Sequence, residues 1–270
     1  ALAPEPAPLP GEATGGAYRL GDHLYDAQTW LPGRPVARAE AAFPGVADRL
    51  DLPAVLPDAA FVGVVGALAR LHGAAEGRPR PALPLLPLPG LLVAVRAAWG
   101  EQRARLRPVA PERPSVQRWL ALGERALPAA TAAIEAALAA GPERLTPAHL
   151  GLWPGHVLLD GDVATGLLGW ERAALGAPLL DLAQAITRLR GWSAPAAELA
   201  VAAYGEERRL SAEERRLLPA LAAADLVATA GVLLVAAYGQ RDAPAPPTVL
   251  RQGAASSINS LESTIAAMAQ

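Results

Sequence analysis

Apolar residues recur with a helical period over most of this chain and with a strand period in only two places. Phe61, Val64, Val65, Leu68 and Leu71 fall at i, i+3, i+4, i+7 and i+10, one face of a helix, with Asp58 placed to cap its start. The next stretch, RPRPALPLLPLPG, is broken by prolines and cannot be a regular helix. Helical patterns resume over about 90–106 and 114–140, and Pro128 is expected to bend or divide the second. Beyond residue 177 the pattern is helical to the end: APLLDLAQAITRL, APAAELAVAAYG, a long run from Ser211, and a last piece carrying Ile258, Leu261 and Ile265. Ser211 and Glu214 form a Ser-x-x-Glu capping box, which fixes the start of the long run.

The strand signals are two hairpins. In AYRLGDHLYDAQTWLPGRP two short runs flank Gly21-Asp22, and Leu31-Pro32-Gly33 ends the second. VLLDGDVATGLLGW turns at Asp160-Gly161-Asp162, so those acids read as turn chemistry. A Pro/Gly-rich leader precedes the first hairpin, and there is no internal repeat. The order hairpin, Pro-Gly turn, helices, loop, hairpin, helices predicts an α+β fold with its site between a strand-bearing front and a helical back.

Composition narrows the chemistry. The 270 residues carry a net charge of −2, which supplies no basic field for nucleic acid or an anionic membrane. The expected partner is a small molecule or a protein, with no nucleic acid and no membrane, and the oligomeric state is left open. There is no cysteine, so disulfides, thiolate metal sites and cysteine nucleophiles are excluded. All 24 basic residues are arginine, so no lysine can form a Schiff base or clamp a phosphate. No secretory signal opens the chain, and a cytoplasmic location is expected. Residues 217–239 are apolar enough to cross a bilayer, but they are Ala-rich, carry Asp225 and lack an aromatic belt, which predicts a buried core helix. Trp99, Trp119 and Trp192 read as core residues, and the arginines at 103, 105, 107, 113 and 118, interspersed with Glu101 and Glu112, as a solvated face.

The stretch LTPAHLGLWPGHVLLDGDVATGLLGWERAALGAPLLDLAQAI, residues 145–186, resembles the aminoglycoside phosphotransferase and choline kinase-like family of the protein-kinase-like fold. His149 stands at the family's loop histidine, Leu152-Trp153-Pro154-Gly155 match the loop interior, and Trp170-Glu171-Arg172-Ala173 and Leu179-Leu180-Asp181-Leu182-Ala183 match beyond it. LYDAQTWLPGRP at 24–35 resembles the last strand and hinge of the nucleotide lobe, and LARLHG at 68–73 the helix after it. The resemblance implies two parts: residues 1–35, a leader with a truncated β-hairpin remnant of the N-terminal lobe, and residues 36–270, a mostly helical C-terminal lobe holding the catalytic loop and hairpin at 149–171. It also implies nucleotide contacts at the hinge residues Gln28, Trp30 and Leu31.

The departures from the family pattern bear on function. Gly151 stands where the family has its catalytic Asp, His156 where it has a metal-binding Asn, and Gly169 where it has a metal-binding Asp. The phosphate-pairing lysine has no counterpart. Phosphoryl transfer is positioning and charge neutralisation by Mg²⁺ and a carboxylate, and glycine does neither job. The expectation is therefore a catalytically impaired, pseudokinase-like member serving in binding or interaction, with no cofactor. His149 is expected to brace backbone, Asp181 likewise, and no metal site is expected; His156 and Glu171 are the residues left that a metal could reach. The alternative is an active ATP- and Mg²⁺-dependent small-molecule phosphotransferase with non-standard groups, or a cut or altered form of such a kinase.

Overall fold

The computed structural model describes residues 56–76, 83–161, 163–238 and 247–269, with the backbone of three short strands at 17–20, 23–26 and 34–35. Strands β1 (Ala17–Leu20) and β2 (His23–Asp26) pair antiparallel, with Leu20 opposite His23, the pairing the first hairpin's sequence predicts. Strand β3 (Arg34–Pro35) joins β6 (Val157–Asp160) and β7 (Val163–Leu167) in a three-stranded sheet of order β3-β6-β7. The predicted hairpin thus exists, with Asp160 opposite Val163 and a bulge between Leu158 and Leu159. A third sheet, ordered β4-β8-β5, gathers Leu85–Leu86, Ala174–Gly176 and Thr146–Ala148.

Seven α-helices lie among the described residues: α1 (Asp58–Ala75), α2 (Leu88–Leu106), α3 (Pro114–Ala140), α4 (Pro178–Leu189), α5 (Ala194–Glu207), α6 (Ala212–Tyr238) and α7 (Pro247–Met268). Phe61, Val64, Val65 and Leu68 are buried as their spacing predicts. Asp58 does not cap α1; Pro57 holds the cap position, and Asp58, in the first turn, pairs with Arg190. Pro128 does not divide α3, which runs unbroken through it. Pro128 and Glu124, whose carbonyl loses its partner, both lie on the solvent side, where water can take that bond, while Leu122, Ala126, Leu127, Ala130 and Ile134 keep the buried stripe continuous. The capping box of α6 is complete: Glu214 N–H donates to Ser211 Oγ at 3.1 Å, and Ser211 N–H donates to Glu214 Oε2 at 2.8 Å.

Helix α6 is the centre of the core, packed against α2, α3, α4 and α7. Its most apolar window is 83% buried, so the membrane-like stretch is a core helix. Asp225, inside it, meets Arg188 of α4 at 2.5 Å and accepts from Thr187 and Gln184, as an internal charge requires. Trp119 and Trp192 are buried, and Trp99 packs against Trp119 in a tilted pair with centroids 4.4 Å apart. Arg103, Arg105 and Arg118 lie on the solvated face, paired to Glu124, Glu101 and Glu262.

Candidate functional site

The loop 149–156 runs from β5 into β6 along one side of α4. Helix α4 starts at Pro178, whose missing N–H costs nothing at a helix start, and it presents Asp181, Gln184 and Arg188 at i, i+3 and i+7 to the loop backbone. Asp181 Oδ2 accepts His149 N–H at 2.6 Å and Oδ1 accepts Leu150 N–H at 2.7 Å. Gln184 Oε1 accepts Leu152 N–H at 3.2 Å, and Arg188 Nη1 donates to Leu152 O at 3.3 Å. Arg188 also lies over the Trp153 ring, 4.1 Å from its centroid. These contacts hold Leu150 at φ 57, a left-handed conformation that a leucine adopts only when its surroundings impose it.

Asp181 reaches further. His72, at the end of the LARLHG segment of α1, donates from Nε2 to Asp181 Oδ2 at 3.1 Å and meets the Tyr204 hydroxyl through Nδ1 at 2.7 Å. All three side chains are buried. Burial pushes the Asp181 carboxyl up, but the His72 hydrogen bond and charge, with the two loop N–H groups, outweigh it and hold the carboxyl below its usual range. Burial raises Tyr204. Sequence reasoning identified Asp181 as a brace and missed His72, Gln184 and Arg188. The signal for the last two was available, since polar residues at i, i+3 and i+7 on an otherwise apolar helix mark a face that must find polar partners.

The predicted site residues 149, 151, 156, 169 and 171 come together at one end of this loop. His149 is fully buried, donates from Nε2 to Leu168 O at 2.7 Å and accepts Gly151 N–H on Nδ1 at 3.3 Å. Burial lowers its pKa, and both ring nitrogens are engaged by backbone. Trp170 meets it edge-on at 4.7 Å. His156 donates from Nδ1 to Gly151 O at 2.7 Å, because a carbonyl only accepts; its Nε2 is the ring nitrogen among the described histidines that has no hydrogen-bond partner. Glu171 and Asp160 are exposed. The hinge residues Gln28, Trp30 and Leu31 lie outside the described residues.

The space at the two glycines tests whether Mg²⁺ fits. A Cβ on Gly169, itself at φ 76, would stand 2.5–2.7 Å from the His156 ring atoms. A Cβ on Gly151 would stand 3.1 Å from Arg172 Cδ. Imidazole and the stem of arginine thus fill the volume that side chains at 151 and 169 would need. Mg²⁺ demands hard oxygen ligands in octahedral array. A ring nitrogen and two glycines do not fit it, and among the described residues no group of three or more His, Asp or Glu side chains is placed to hold a metal. Arg172 was absent from the sequence-based site because nothing in WERA tells which way the arginine folds.

Comparison with known proteins agrees with this architecture. The sequence matches the profile of the phosphotransferase enzyme family (APH) over residues 1–218. The structure is similar to an aminoglycoside phosphotransferase from Alicyclobacillus acidocaldarius, with TM-score 0.64 and 16% identity over 95% of this chain and 74% of that one. It is also similar to a choline kinase from Cryptosporidium parvum Iowa II, with TM-score 0.53 and 10% identity over 89% of this chain and 71% of that one. No curated protein matches by sequence. Identities this low speak for fold alone. On its helical lobe, its braced loop and hairpin, and a family match over most of its length, this chain belongs to the phosphotransferase enzyme family and has the protein-kinase-like fold.

Proposed function

We propose that this family member binds a small molecule or a protein and does not itself transfer phosphate. One observation carries the reading: Asp181, the carboxylate hydrogen-bonded to the loop, is consumed by His72 and by two backbone N–H groups. Both of its oxygens are engaged and the side chain is fully buried, so it neither orients a hydroxyl nor holds a cation. Glu171 and Asp160 stand in solvent, where a carboxylate gains little from any partner. Such a protein needs no cofactor and is consistent with cytoplasmic residence.

Thermal stability measured with millimolar ATP, with and without Mg²⁺, tests this directly. A site saturated at 100 times its Kd adds about 2.7 kcal/mol, which is a rise of roughly 5–10 °C for a chain of this size. The expected result is no Mg²⁺-dependent rise and no phosphate release. A rise together with turnover would establish the second reading, an active phosphotransferase, which the unpartnered Nε2 of His156 favours as a proton acceptor. In that case Gln28, Trp30 and Leu31 would be the hinge contacts to mutate first.

A further inference from the structure

We propose that His156 stands in for the metal: its imidazole, bonded to Gly151 O, packs over Gly169 at the end of the hairpin and thereby bars a divalent cation from the site. The proposal rests on the correspondence of residues 151, 156 and 169 with the family's carboxylate and metal positions. It does not depend on whether the chain binds nucleotide.

The replacements at 156 and 169 form one packing unit. Three ring atoms of His156 lie 2.5–2.7 Å from the place a Cβ at 169 would take, closer than any real Cβ contact. The ring is held by one hydrogen bond and its backbone by two more. Its Nδ1 donates to Gly151 O at 2.7 Å, its backbone N–H donates to Trp153 O at 2.9 Å, and its carbonyl accepts Leu168 N–H at 2.7 Å. The buried His149 ring, 5.7 Å away, closes one side. Glycine at 169 is therefore what lets the histidine sit where it does. The imidazole N–H holds the Gly151 carbonyl within the loop, and the His156 carbonyl accepts Leu168 N–H from the hairpin end, so no carboxylate is needed at either glycine.

The two glycines are not equivalent. A side chain at 151 meets only the flexible stem of exposed Arg172, at 3.1 Å from Cδ, which can move aside at small cost. A side chain at 169 meets a ring bonded to Gly151 O and flanked by His149. His156, and not Arg172, is then the residue that decides whether a cation enters.

The test compares Gly151→Asp/Gly169→Asp, which keeps His156, with Gly151→Asp/His156→Asn/Gly169→Asp, each titrated with MgCl₂ and MnCl₂ by calorimetry and thermal shift. The triple variant should gain binding, with a rise of roughly 2–4 °C at saturating cation. The double variant should bind at least about tenfold more weakly, a difference of about 1.4 kcal/mol. Equal binding by both, or binding by neither, overturns the proposal.

A second measurement guards against variants that fold poorly. Gly169→Ala should lower the melting temperature by roughly 5–10 °C in the native background but by about 2–4 °C beside His156→Ala, where only the left-handed backbone is strained. Folding of the pair where Gly169→Ala alone does not fold is the same result in stronger form. Equal losses in both backgrounds overturn the proposal. Phosphate release from ATP by the native chain would sink the binding-only reading, whereas the cation titrations and the Gly169 cycle are read without nucleotide and stand or fall on His156 alone.

Discussion

Asp181 connects two residues that lie far from it in sequence, accepting from His72, 109 residues away, and from the loop N–H of Leu150, 31 residues away. Asp181→Ala should cost about 3–5 kcal/mol, the range for breaking a buried pair, and should release Leu150 from its left-handed conformation. Faster amide exchange confined to 149–152 would accompany the fall in melting temperature. Acid should act on the same residues in two steps. The folded pKa of His149 is lowered, so its contribution is fully present above about pH 6.5 and is lost as pH falls from there toward the folded value. The folded pKa of Asp181 is lowered as well, so its contribution is present above about pH 4 and disappears as pH falls through the folded value. Melting temperature followed from pH 8 to 3 should show both losses, and His149→Gln should remove the first. Asp181 was legible as a brace from its place after Leu179-Leu180, whereas its histidine partner was not, because nothing local relates α1 to α4.

Helix contacts turn on single small residues. On α6, a Cβ at Gly231 would stand 2.0 Å from Gln102 Oε1 and 2.7 Å from the buried Trp119 ring, so α2 and α3 approach α6 only because no side chain intervenes. Gly100 of α2 faces open space. Gly100→Ala should therefore stabilise by up to about 1 kcal/mol, while Gly231→Ala should destabilise by about 1–3 kcal/mol despite the same gain in helix propensity. Pro128 offers a third comparison. Because it is exposed and α3 continues through it, Pro128→Ala should restore a hydrogen bond and raise stability by about 1–3 kcal/mol in urea unfolding. Helix positions on α1 to α7 were readable from apolar spacing, prolines and the capping box. The effect of Pro128 was not, since it depends on which side of α3 faces water.

At the scale of the whole molecule, the lobe is organised around α6, and the ion pair of Asp225 with Arg188 links that core helix to the helix that braces the loop. Arg188→Ala would leave Asp225 buried without its cation and free the Leu152 carbonyl and the Trp153 ring together. A loss of about 3–5 kcal/mol is expected, with the Trp fluorescence of the loop changing in the same unfolding transition. The sequence by itself determined the two hairpins, the helical majority, the family resemblance and the chemical content of the site, because periodicity, turn residues and residue identity are local properties. It showed that no carboxylate stands at 151 or 169 and that no lysine exists anywhere in the chain. Only the tertiary structure decided what fills those positions. The His156 ring over Gly169, the Arg172 stem over Gly151 and the α4 face under the loop are arrangements of side chains brought together by packing, and their directions are set by the space that neighbouring elements leave, which no one-dimensional pattern records.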